Sequence, residues 1–330
     1  MGTGPRRAGN FVISLDYELM WGVRDHATRA SYGHNVLGGR RAIPAMLDLF
    51  HRQSIRATWA TVGALLCESK DELITRMKQA AVSRDVLGSL EDVGPDERRD
   101  PFHFGASLAR RIASCEGQEI GTHTFSHRCA LERGETLKGF AADVSHALLQ
   151  LREWGIRCKS IVFPRNQYAP AHLEACSLLG LTHFRGNERA WFYRPVAGDR
   201  QTKPRRLCRL ADSYINLSGS NVSTPVGGNE SLVNVASSRF LRPFNRRLAP
   251  LDGLRLKRIE RAMEHAALTG GTFHLWWHPE NFGANLAENL DVLTRVLQVF
   301  DRLRAEHGMR SRAMHEIASR APSVQASRAA

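Results

Sequence analysis

The sequence lacks any apolar run long enough to cross a bilayer, so we expect no transmembrane segment. Its first ten residues include two arginines but no apolar core, which argues against a secretory signal and favours a cytoplasmic location. The six cysteines form no C-x-x-C pair, so the common zinc-finger and redox motifs are absent. We therefore expect reduced thiols, most of them buried as small apolar side chains.

Acidic residues are outnumbered: 33 Asp and Glu stand against 46 Lys and Arg, a formal net charge of +13. The basic residues are spread along the chain, with local clusters at 205–206 and 239–247, and no nucleic-acid-binding motif accompanies them. We therefore expect no nucleic acid partner. The charge favours anionic partners such as sugar nucleotides, pyrophosphate-linked lipids or the cytoplasmic leaflet, which leaves peripheral membrane association open.

Short apolar runs alternate with amphipathic segments along the chain, a pattern typical of parallel β/α units. Predicted strands cover 11–15, 57–63, a run ending at His123, 160–163, 182–184 and 272–276, and predicted helices cover 43–50, 137–154, 171–179 and 287–303. We predict one α/β domain over 11–320, with insertions near 85–100 and 210–250 and tails at 1–10 and 321–330. The longer insertion is expected to be an ordered loop over the mouth of a site.

Polar residues stand where the predicted strands end. The first strand is followed by Asp16 and Glu18, the third by His123 and His127, the fourth by Arg165 and the last by His278. The carboxyl ends of parallel strands in a β/α barrel meet at one rim, where active sites lie. We therefore expect these side chains to converge.

Two histidines four residues apart, His123 and His127, can approach one divalent ion, and neutral imidazole suits zinc. For this spacing alone, hydrogen-bonded histidines without a metal are the commoner case. Asp16 and Glu18 share one face of an extended chain, so one carboxylate can complete a metal site while the other takes a proton from water. The competing interpretation is a helix cap and a surface ion pair.

Three further residue types are suited to an active site at this rim. His278 is a candidate general acid because imidazole titrates near neutral pH. Arg165 can orient a carboxylate through its planar set of donors. Trp191, Trp276 and Trp277 can stack on sugar rings, although core packing is the commoner role of any single tryptophan.

Four motifs taken together resemble the polysaccharide deacetylase superfamily, carbohydrate esterase family 4, which includes the chitooligosaccharide deacetylases. They are Ser-Leu-Asp-Tyr-Glu at 14–18, His-Thr-Phe-Ser-His at 123–127, Phe-Pro-Arg-Asn-Gln-Tyr at 163–168 and Leu-Trp-Trp-His at 275–278. They occur in the family's order and span nearly the whole chain. More narrowly, residues 15–22 and 278–283 are similar to a bacterial subgroup tied to cell-surface polysaccharide biosynthesis.

The resemblance implies a distorted (β/α) barrel with fewer than eight strands. It also implies metal-dependent removal of N-acetyl groups from the amino sugars of a polysaccharide or its precursor. The metal is expected to be zinc, with cobalt or nickel as alternatives, bound by His123 and His127. By the same resemblance Asp16 is the general base, Arg165 orients it and His278 is the general acid.

We assign Tyr168, Trp191 and Trp277 to substrate binding, with a backbone N–H beside Tyr168 holding the oxyanion. The first motif departs from the family's pair of adjacent aspartates, because Tyr17 stands in the second position and a phenol is a poor ligand at neutral pH. Glu18 is the natural replacement as metal ligand.

The roles of the two acids remain interchangeable at this stage: Asp16 can be the ligand and Glu18 the base. A third interpretation is an incomplete metal site. Two other functions therefore stay open, a cyclic imide or ureide C–N hydrolase on the same scaffold and a non-catalytic carbohydrate-binding relative.

Overall fold

A computed structural model describes residues 7–80, 82, 87–88, 90–224 and 232–318. Its strands are β1 (Asn10–Tyr17), β2 (Ala57–Thr61), β3 (Gln118–Thr122), β4 (Ser160–Ile161), β5 (His183–Phe184), β6 (Val233–Asn234), β7 (Arg239–Phe240), β8 (Thr272–Trp277) and β9 (Arg310–Arg312). Its helices are α1 (Arg29–Arg52), α2 (Lys70–Gln79), α3 (Ala106–Ser114), α4 (Leu137–Glu153), α5 (Pro170–Leu178), α6 (Lys203–Asp212), α7 (Asp252–Thr269) and α8 (Leu286–His307).

The strands form one parallel sheet in the order β6-β5-β4-β3-β2-β1-β8-β7, and β9 pairs with the start of β1. The segment 233–241 connects the two edges of this sheet. Its first half donates backbone hydrogen bonds to carbonyls within 182–186, and its second half donates to carbonyls of 274–276. The sheet is thus curled into a distorted barrel whose strand positions are β1 to β5, this shared segment and β8. The predicted fold class is confirmed.

Strand β1 lies in the middle of the sheet, between β2 and β8, and is buried from Phe11 onward. Because side chains alternate along a strand, its odd-numbered residues from Phe11 to Tyr17 pack in the main core under the helices. Val12 belongs to a second cluster inside the barrel, and Ser14 and Asp16 follow it on that inner face. The alternation therefore places Asp16 inside the barrel and Tyr17 outside it.

The predicted strands and helices are present, with bounds shifted by a few residues, except for the first helix. That helix was predicted over 43–50, but α1 begins at Arg29, with Thr28 as its N-cap, and Pro44 lies in its interior. The first half carries Gly33, Gly38 and Gly39, residues of low helix propensity, which hid it in the sequence.

Two of these glycines bring α1 against the backbone of the 279–283 segment. A Cβ atom on Gly38 would lie 2.3 Å from the Cα of Gly283, and one on Gly39 would lie 2.8 Å from the Cα of Glu280. Carbon atoms in contact normally stand about 3.5–4.0 Å apart. The close approach of α1 to this segment therefore depends on Gly38 and Gly39 having no side chain.

We did not predict α2, α3, α6, α7 or the short strands β6, β7 and β9. Helix α6 has four basic residues among its ten, and the buried face of α7 includes Arg255 and Arg258 beside its apolar residues, so charged residues interrupt the apolar positions of both helices. The segment 210–250, expected to be a loop over the mouth, contains β6 and β7 and so supplies part of the barrel wall. Residues 85, 86, 89, 225–231 and the tail 321–330 lie outside the described residues, and the domain limits stay a prediction.

All six cysteines are free thiols; Cys67 and Cys176 are buried, while the other four are partly exposed. The expectation of reduced thiols thus agrees with the structure, but most of them are less buried than expected. Within the described ranges, no helix combines the length and the apolar character that a membrane span requires.

The packing of α1 gives a first prediction. Gly38→Ala forces a methyl group into the backbone of 283 and should lower the free energy of unfolding by about 1–3 kcal/mol. Gly253→Ala in α7 is the matched control, because no atom lies within 4 Å of its Cβ position. Urea unfolding followed by circular dichroism measures both, and equal stability of the two variants would contradict this account of the helix contact.

Candidate active site

Three possible metal ligands converge at the carboxyl ends of β1 and β3. The Oε2 atom of Glu18 lies 3.2 Å from Nε2 of His123 and 3.1 Å from Nε2 of His127, and all three side chains are buried. Atoms bound at 2.0–2.1 Å around a tetrahedral zinc ion stand about 3.3 Å apart. The spacing of the three atoms therefore fits one shared ion.

The tautomer of His123 supports the same conclusion. Its Nδ1 lies 2.8 Å from the carbonyl oxygen of Val162, which can only accept a hydrogen bond, so Nδ1 carries the proton. In a neutral ring, Nε2 then presents a lone pair toward Glu18. A backbone carbonyl holding the other ring nitrogen is the usual support of a metal-bound histidine.

The two histidines lie on a bend rather than on a helix. Strand β3 ends at Thr122, and both Thr124 and His127 have positive φ values, 63° and 57°. Asp143 of α4 accepts hydrogen bonds from the backbone N–H groups of Phe125 and Ser126, at 2.7 and 3.2 Å. This buried carboxylate holds the bend that brings the two rings together, and the sequence motifs did not reveal it.

A second bend carries Glu18. Leu19 has a φ of 47°, and its N–H donates to Oε1 of Glu280 at 2.6 Å. Gly22 leaves space for the Glu18 carboxylate, since a Cβ there would lie 1.9 Å from Oε1. Tyr17 points the other way and donates to the carbonyl of Gly105 at 2.9 Å. The phenol is therefore no part of the site, and Glu18 stands beside the histidines.

Asp16 is held by an arginine that we did not predict, Arg185. Its guanidinium donates to both carboxylate oxygens at 2.7 Å, and also to Ser14 and Asn166. Burial is the largest single effect and raises the pKa of Asp16, but the charge and hydrogen bonds of Arg185, together with the nearby His123 and His278, outweigh it, so the pKa stays below its ordinary value. Arg185 follows β5 directly, which is the signal that could have revealed it.

The assignment of Arg165 as the residue that orients Asp16 is wrong in this structure. Its guanidinium forms an ion pair with Asp25 and lies 3.7 Å from Glu132. Arg165 and Asn166 both have positive φ values, 54° and 53°, so the chain turns sharply here. The turn directs Asn166 to Arg185 and leaves Arg165 at the outer edge of the mouth.

His278 completes the cluster from β8. Its Nε2 lies 3.7 Å from Oδ2 of Asp16 and 3.5 Å from Oε1 of Glu18, and its Nδ1 lies 3.2 Å from the amide nitrogen of Asn281. Its side chain is 26% exposed, more than any other of these groups, because it faces a cavity. The predicted convergence of Asp16, Glu18, His123, His127 and His278 agrees with the structure.

None of the three residues that we assigned to substrate binding lines the cavity. Trp277 is fully buried and stacks on Phe282, because the alternation along β8 turns it toward the helices; Trp276 faces the cavity instead. Trp191 is 52% exposed beside Arg205. Tyr168 packs against Phe163 and Phe184. The assignment of Trp277 is therefore wrong, and Trp191 and Tyr168 are not among the residues that line the cavity.

The cavity beside the cluster has a volume of about 720 Å³. Asp16, Glu18, His278 and Trp276 are among the residues that line it. A space of this size lies in the range of ligand pockets, about 300–1,000 Å³. Groups that can bind a metal, take a proton and give one are thus reached from a single cavity.

No protein-family model and no curated protein matches the sequence. Among solved structures, the fold is similar to that of a Mycobacterium smegmatis protein assigned as a polysaccharide deacetylase, with a TM-score of 0.61 and 13% identity over 96% of this chain and 91% of that one. A family 4 carbohydrate esterase from Streptomyces lividans in complex with acetate matches with a TM-score of 0.42 and 10% identity over 92% of both chains. A 4-alpha-glucanotransferase from Thermococcus litoralis matches with a TM-score of 0.49 and 12% identity over 93% of this chain and 39% of that one. The chain has the polysaccharide deacetylase fold that its motifs predicted.

The converging ligands give a second prediction. The protein dialysed against zinc should retain about one ion per chain, and His123→Ala or Glu18→Gln should retain none, because each removes one of the three ligands that the described residues supply. Elemental analysis measures the content. His265→Ala is the control, since this exposed histidine lies on α7 away from the cluster. Equal zinc content in all variants would contradict the assignment.

The buried ion pair gives a third prediction. Arg185→Met leaves the carboxylate of Asp16 buried without its partner and should lower the free energy of unfolding at neutral pH by about 3–5 kcal/mol. In the wild type, the depressed pKa of Asp16 stabilises the folded state at pH values above the ordinary pKa of an aspartate. This contribution is lost as the pH falls toward the pKa of Asp16 in the folded protein. In the variant the pKa of Asp16 rises, so the deficit should shrink from pH 8 to pH 5.

Urea unfolding at several pH values measures this deficit. The control is Arg302→Met, because that arginine pairs with exposed glutamates on the surface and should contribute less than about 1 kcal/mol. A deficit for Arg185→Met that did not change with pH would show that the pair is not what holds Asp16 ionised.

Proposed function

We propose that the protein is a metal-dependent hydrolase that removes N-acetyl groups from the amino sugars of a polysaccharide or its precursor. The observation that carries this proposal is the meeting of Glu18, His123 and His127 beside Asp16 and His278 next to one cavity. The fold likeness to a protein assigned as a polysaccharide deacetylase supports it.

The donor set fits a divalent ion. One carboxylate oxygen and two imidazole nitrogens are a ligand set typical of catalytic zinc, which keeps positions open for water and substrate; cobalt and nickel accept the same donors. When bound, the ion would polarise the acetamide carbonyl and lower the pKa of a water molecule. Glu18 is the ligand in this proposal because its oxygen, and not that of Asp16, stands between the two histidines.

Asp16 then takes the proton of the attacking water. Its pKa lies below the ordinary value, so it is ionised at neutral pH and free to accept. Arg185 holds both carboxylate oxygens and so fixes the direction of the remaining lone pairs. Removal of the guanidinium would leave the base mobile and raise its pKa, so Arg185 is a positioning residue.

His278 gives a proton to the departing amine. It is the partly exposed imidazole of the cluster, and Asn281 contacts its Nδ1, which leaves Nε2 toward the cavity. Proton transfer from a well-placed general acid contributes about 10²–10⁴-fold in rate. Water is added across the C–N bond, and the products are acetate and a free amino sugar.

We further propose that this reaction takes place in the cytoplasm, on a precursor of a cell-surface polysaccharide. The support is the similarity of residues 15–22 and 278–283 to a subgroup tied to that biosynthesis. Peripheral association with the membrane would place the enzyme near such a precursor.

The proposal gives a fourth prediction. Incubation with an N-acetylated chitooligosaccharide should release acetate; chelation should abolish the release, and zinc or cobalt should restore it. Asp16→Asn should lower kcat by about 10²–10⁴-fold, since it removes the base while leaving the size of the side chain unchanged. An enzymatic acetate assay measures both effects.

The same protein should leave a cyclic imide or ureide intact, and ring opening without acetate release would favour the other C–N hydrolase. Oligosaccharide binding without hydrolysis in the zinc-loaded protein would favour a carbohydrate-binding role. Activity unchanged after thorough chelation would overturn the metal-dependent scheme.

A further inference from the structure

The cavity that Asp16, Glu18 and His278 line is also rich in arginine. Arg194, Arg206 and Arg209 line it from the region of α6, and Arg242 lines it from the chain just after β7. We call these four residues the arginine wall. They belong to two segments that are separate in sequence, so their meeting on one cavity is a feature of the fold rather than of a basic run.

The arginines of this wall have no acidic partner. Among the described residues, no carboxylate oxygen lies within 4.0 Å of any of the four guanidinium groups, although the molecule forms many such pairs elsewhere. Arg209 donates to Gln201, and Arg242 donates to Oγ of Ser213 at 2.7 Å. Arg239 and Arg165, which also line the cavity, do have acidic partners: Arg239 pairs with Asp212, which it shares with Arg258, and Arg165 pairs with Asp25.

Two members of the wall carry their charge in a partly buried position. Burial lowers the pKa of Arg209, and the nearby charges of Arg205 and Arg242 lower it further. Burial also lowers the pKa of Arg242. Both arginines stay charged even so, because the ordinary pKa of a guanidinium group is far above neutral pH. A buried charge without a partner is costly, which is why such charges are normally paired.

The acids that line the cavity do not remove this excess. Asp16 is bonded to Arg185, and Glu18 is directed to the histidines. Glu188 is buried, and its burial raises its pKa above the ordinary value, which weakens it as a counter-charge. The cavity is thus lined by these three acids and by the arginine wall, and among the described residues the arginine wall has no anionic partner.

We infer that the arginine wall binds a phosphate or diphosphate group carried by the amino sugar whose N-acetyl group reaches Glu18, His123 and His127. Planar guanidinium groups bind phosphate oxygens in pairs, and several of them together match a diphosphate. A neutral polysaccharide would leave the wall uncompensated. This inference rests on the proposed function, and it names the substrate as an activated, phosphate-bearing precursor rather than a finished polymer.

Two kinds of molecule carry this group, a soluble sugar nucleotide and a lipid-linked sugar diphosphate. Leu207 lies on α6 between Arg206 and Arg209, and it is 66% exposed. An exposed apolar side chain beside the arginine wall could contact a lipid chain, so the experiment includes a lipid-linked substrate.

The test begins with inorganic pyrophosphate titrated into the full-length protein by calorimetry. Arg209→Ala/Arg242→Ala should bind it at least about tenfold more weakly, because each charge-assisted hydrogen bond contributes about 1.5–3 kcal/mol. Arg206→Ala, an exposed single change that leaves the fold intact, should show a smaller loss in the same direction. Arg209→Lys/Arg242→Lys should recover part of the affinity, since it restores charge without the planar donors.

Arg310→Ala is the matched control. This exposed arginine lies on β9, which pairs with the start of β1 at the opposite end of the barrel, so pyrophosphate affinity should not change. Circular dichroism of each variant identifies any that fail to fold. Equal affinity in the wild type, the Arg206→Ala variant and the control, or no binding to the wild type, would overturn the inference.

The second stage compares acetate release from three substrates: a neutral chitooligosaccharide, a uridine diphosphate N-acetylamino sugar, and an N-acetylamino sugar diphosphate linked to a polyprenyl chain in detergent. The inference expects kcat/KM for at least one diphosphate substrate to exceed that of the neutral one, with the excess lost in Arg209→Ala/Arg242→Ala. The preferred diphosphate substrate identifies the source.

Failure of the inference and failure of the proposed function give different results. Equal turnover of all three substrates would overturn the arginine wall as a phosphate site and leave the deacetylase intact. Pyrophosphate binding that persists in His123→Ala, without acetate release from any substrate in the wild type, would support the wall and overturn the proposed reaction.

Discussion

The structure depends on the burial of three carboxyl groups at one end of the barrel, each of which must be neutralised. Arg185 neutralises Asp16 through hydrogen bonds to both of its carboxylate oxygens. Glu18 faces the nitrogens of His123 and His127 and is suited to share a cation with them. Burial and the charge of Glu18 raise the pKa of Glu280 to about 8, so it is protonated at neutral pH while its other oxygen accepts from Leu19. Three environments thus give three neighbouring acids different protonation and different roles.

The parallel sheet explains how much of this site could be predicted from the sequence. Polar residues directly after apolar runs must meet at one rim when the strands are parallel, and that rule placed the acids of the first strand, the histidine pair and His278 correctly. The alternation of side chains along β1, a property of every strand, separates Asp16 from Tyr17. The rule was applied only to residues within recognisable motifs. Arg185 obeys it equally well, since it follows β5, a strand that we predicted over 182–184, but it belongs to none of those motifs.

The wrong assignments have a different origin, because they required side-chain directions that spacing alone does not define. Two adjacent left-handed residues turn Arg165 away from the barrel and Asn166 into it, and nothing in a single sequence announces such a turn. On β8, a shift of one position exchanges the cavity face for the core face, so Trp276 and not Trp277 meets the cavity. The glycine-rich half of α1 was hidden for a related reason. Its helical state is imposed by close packing on the 279–283 segment and not by local propensity.

The charge of the protein is organised in the same way as its acids. The formal excess of +13 is spread along the chain, but the cavity brings four arginines from separate parts of the chain together with Asp16 and Glu18. A cavity lined by both carboxylates and arginines favours one orientation of a ligand that is anionic on one side only, because the arginines attract that side and the carboxylates repel it. A substrate with an anionic group at one end and a neutral acetamide at the other can enter such a cavity productively in one direction only. The buried acids that favour a cation and the arginines that lack an anion are therefore two halves of one electrostatic arrangement.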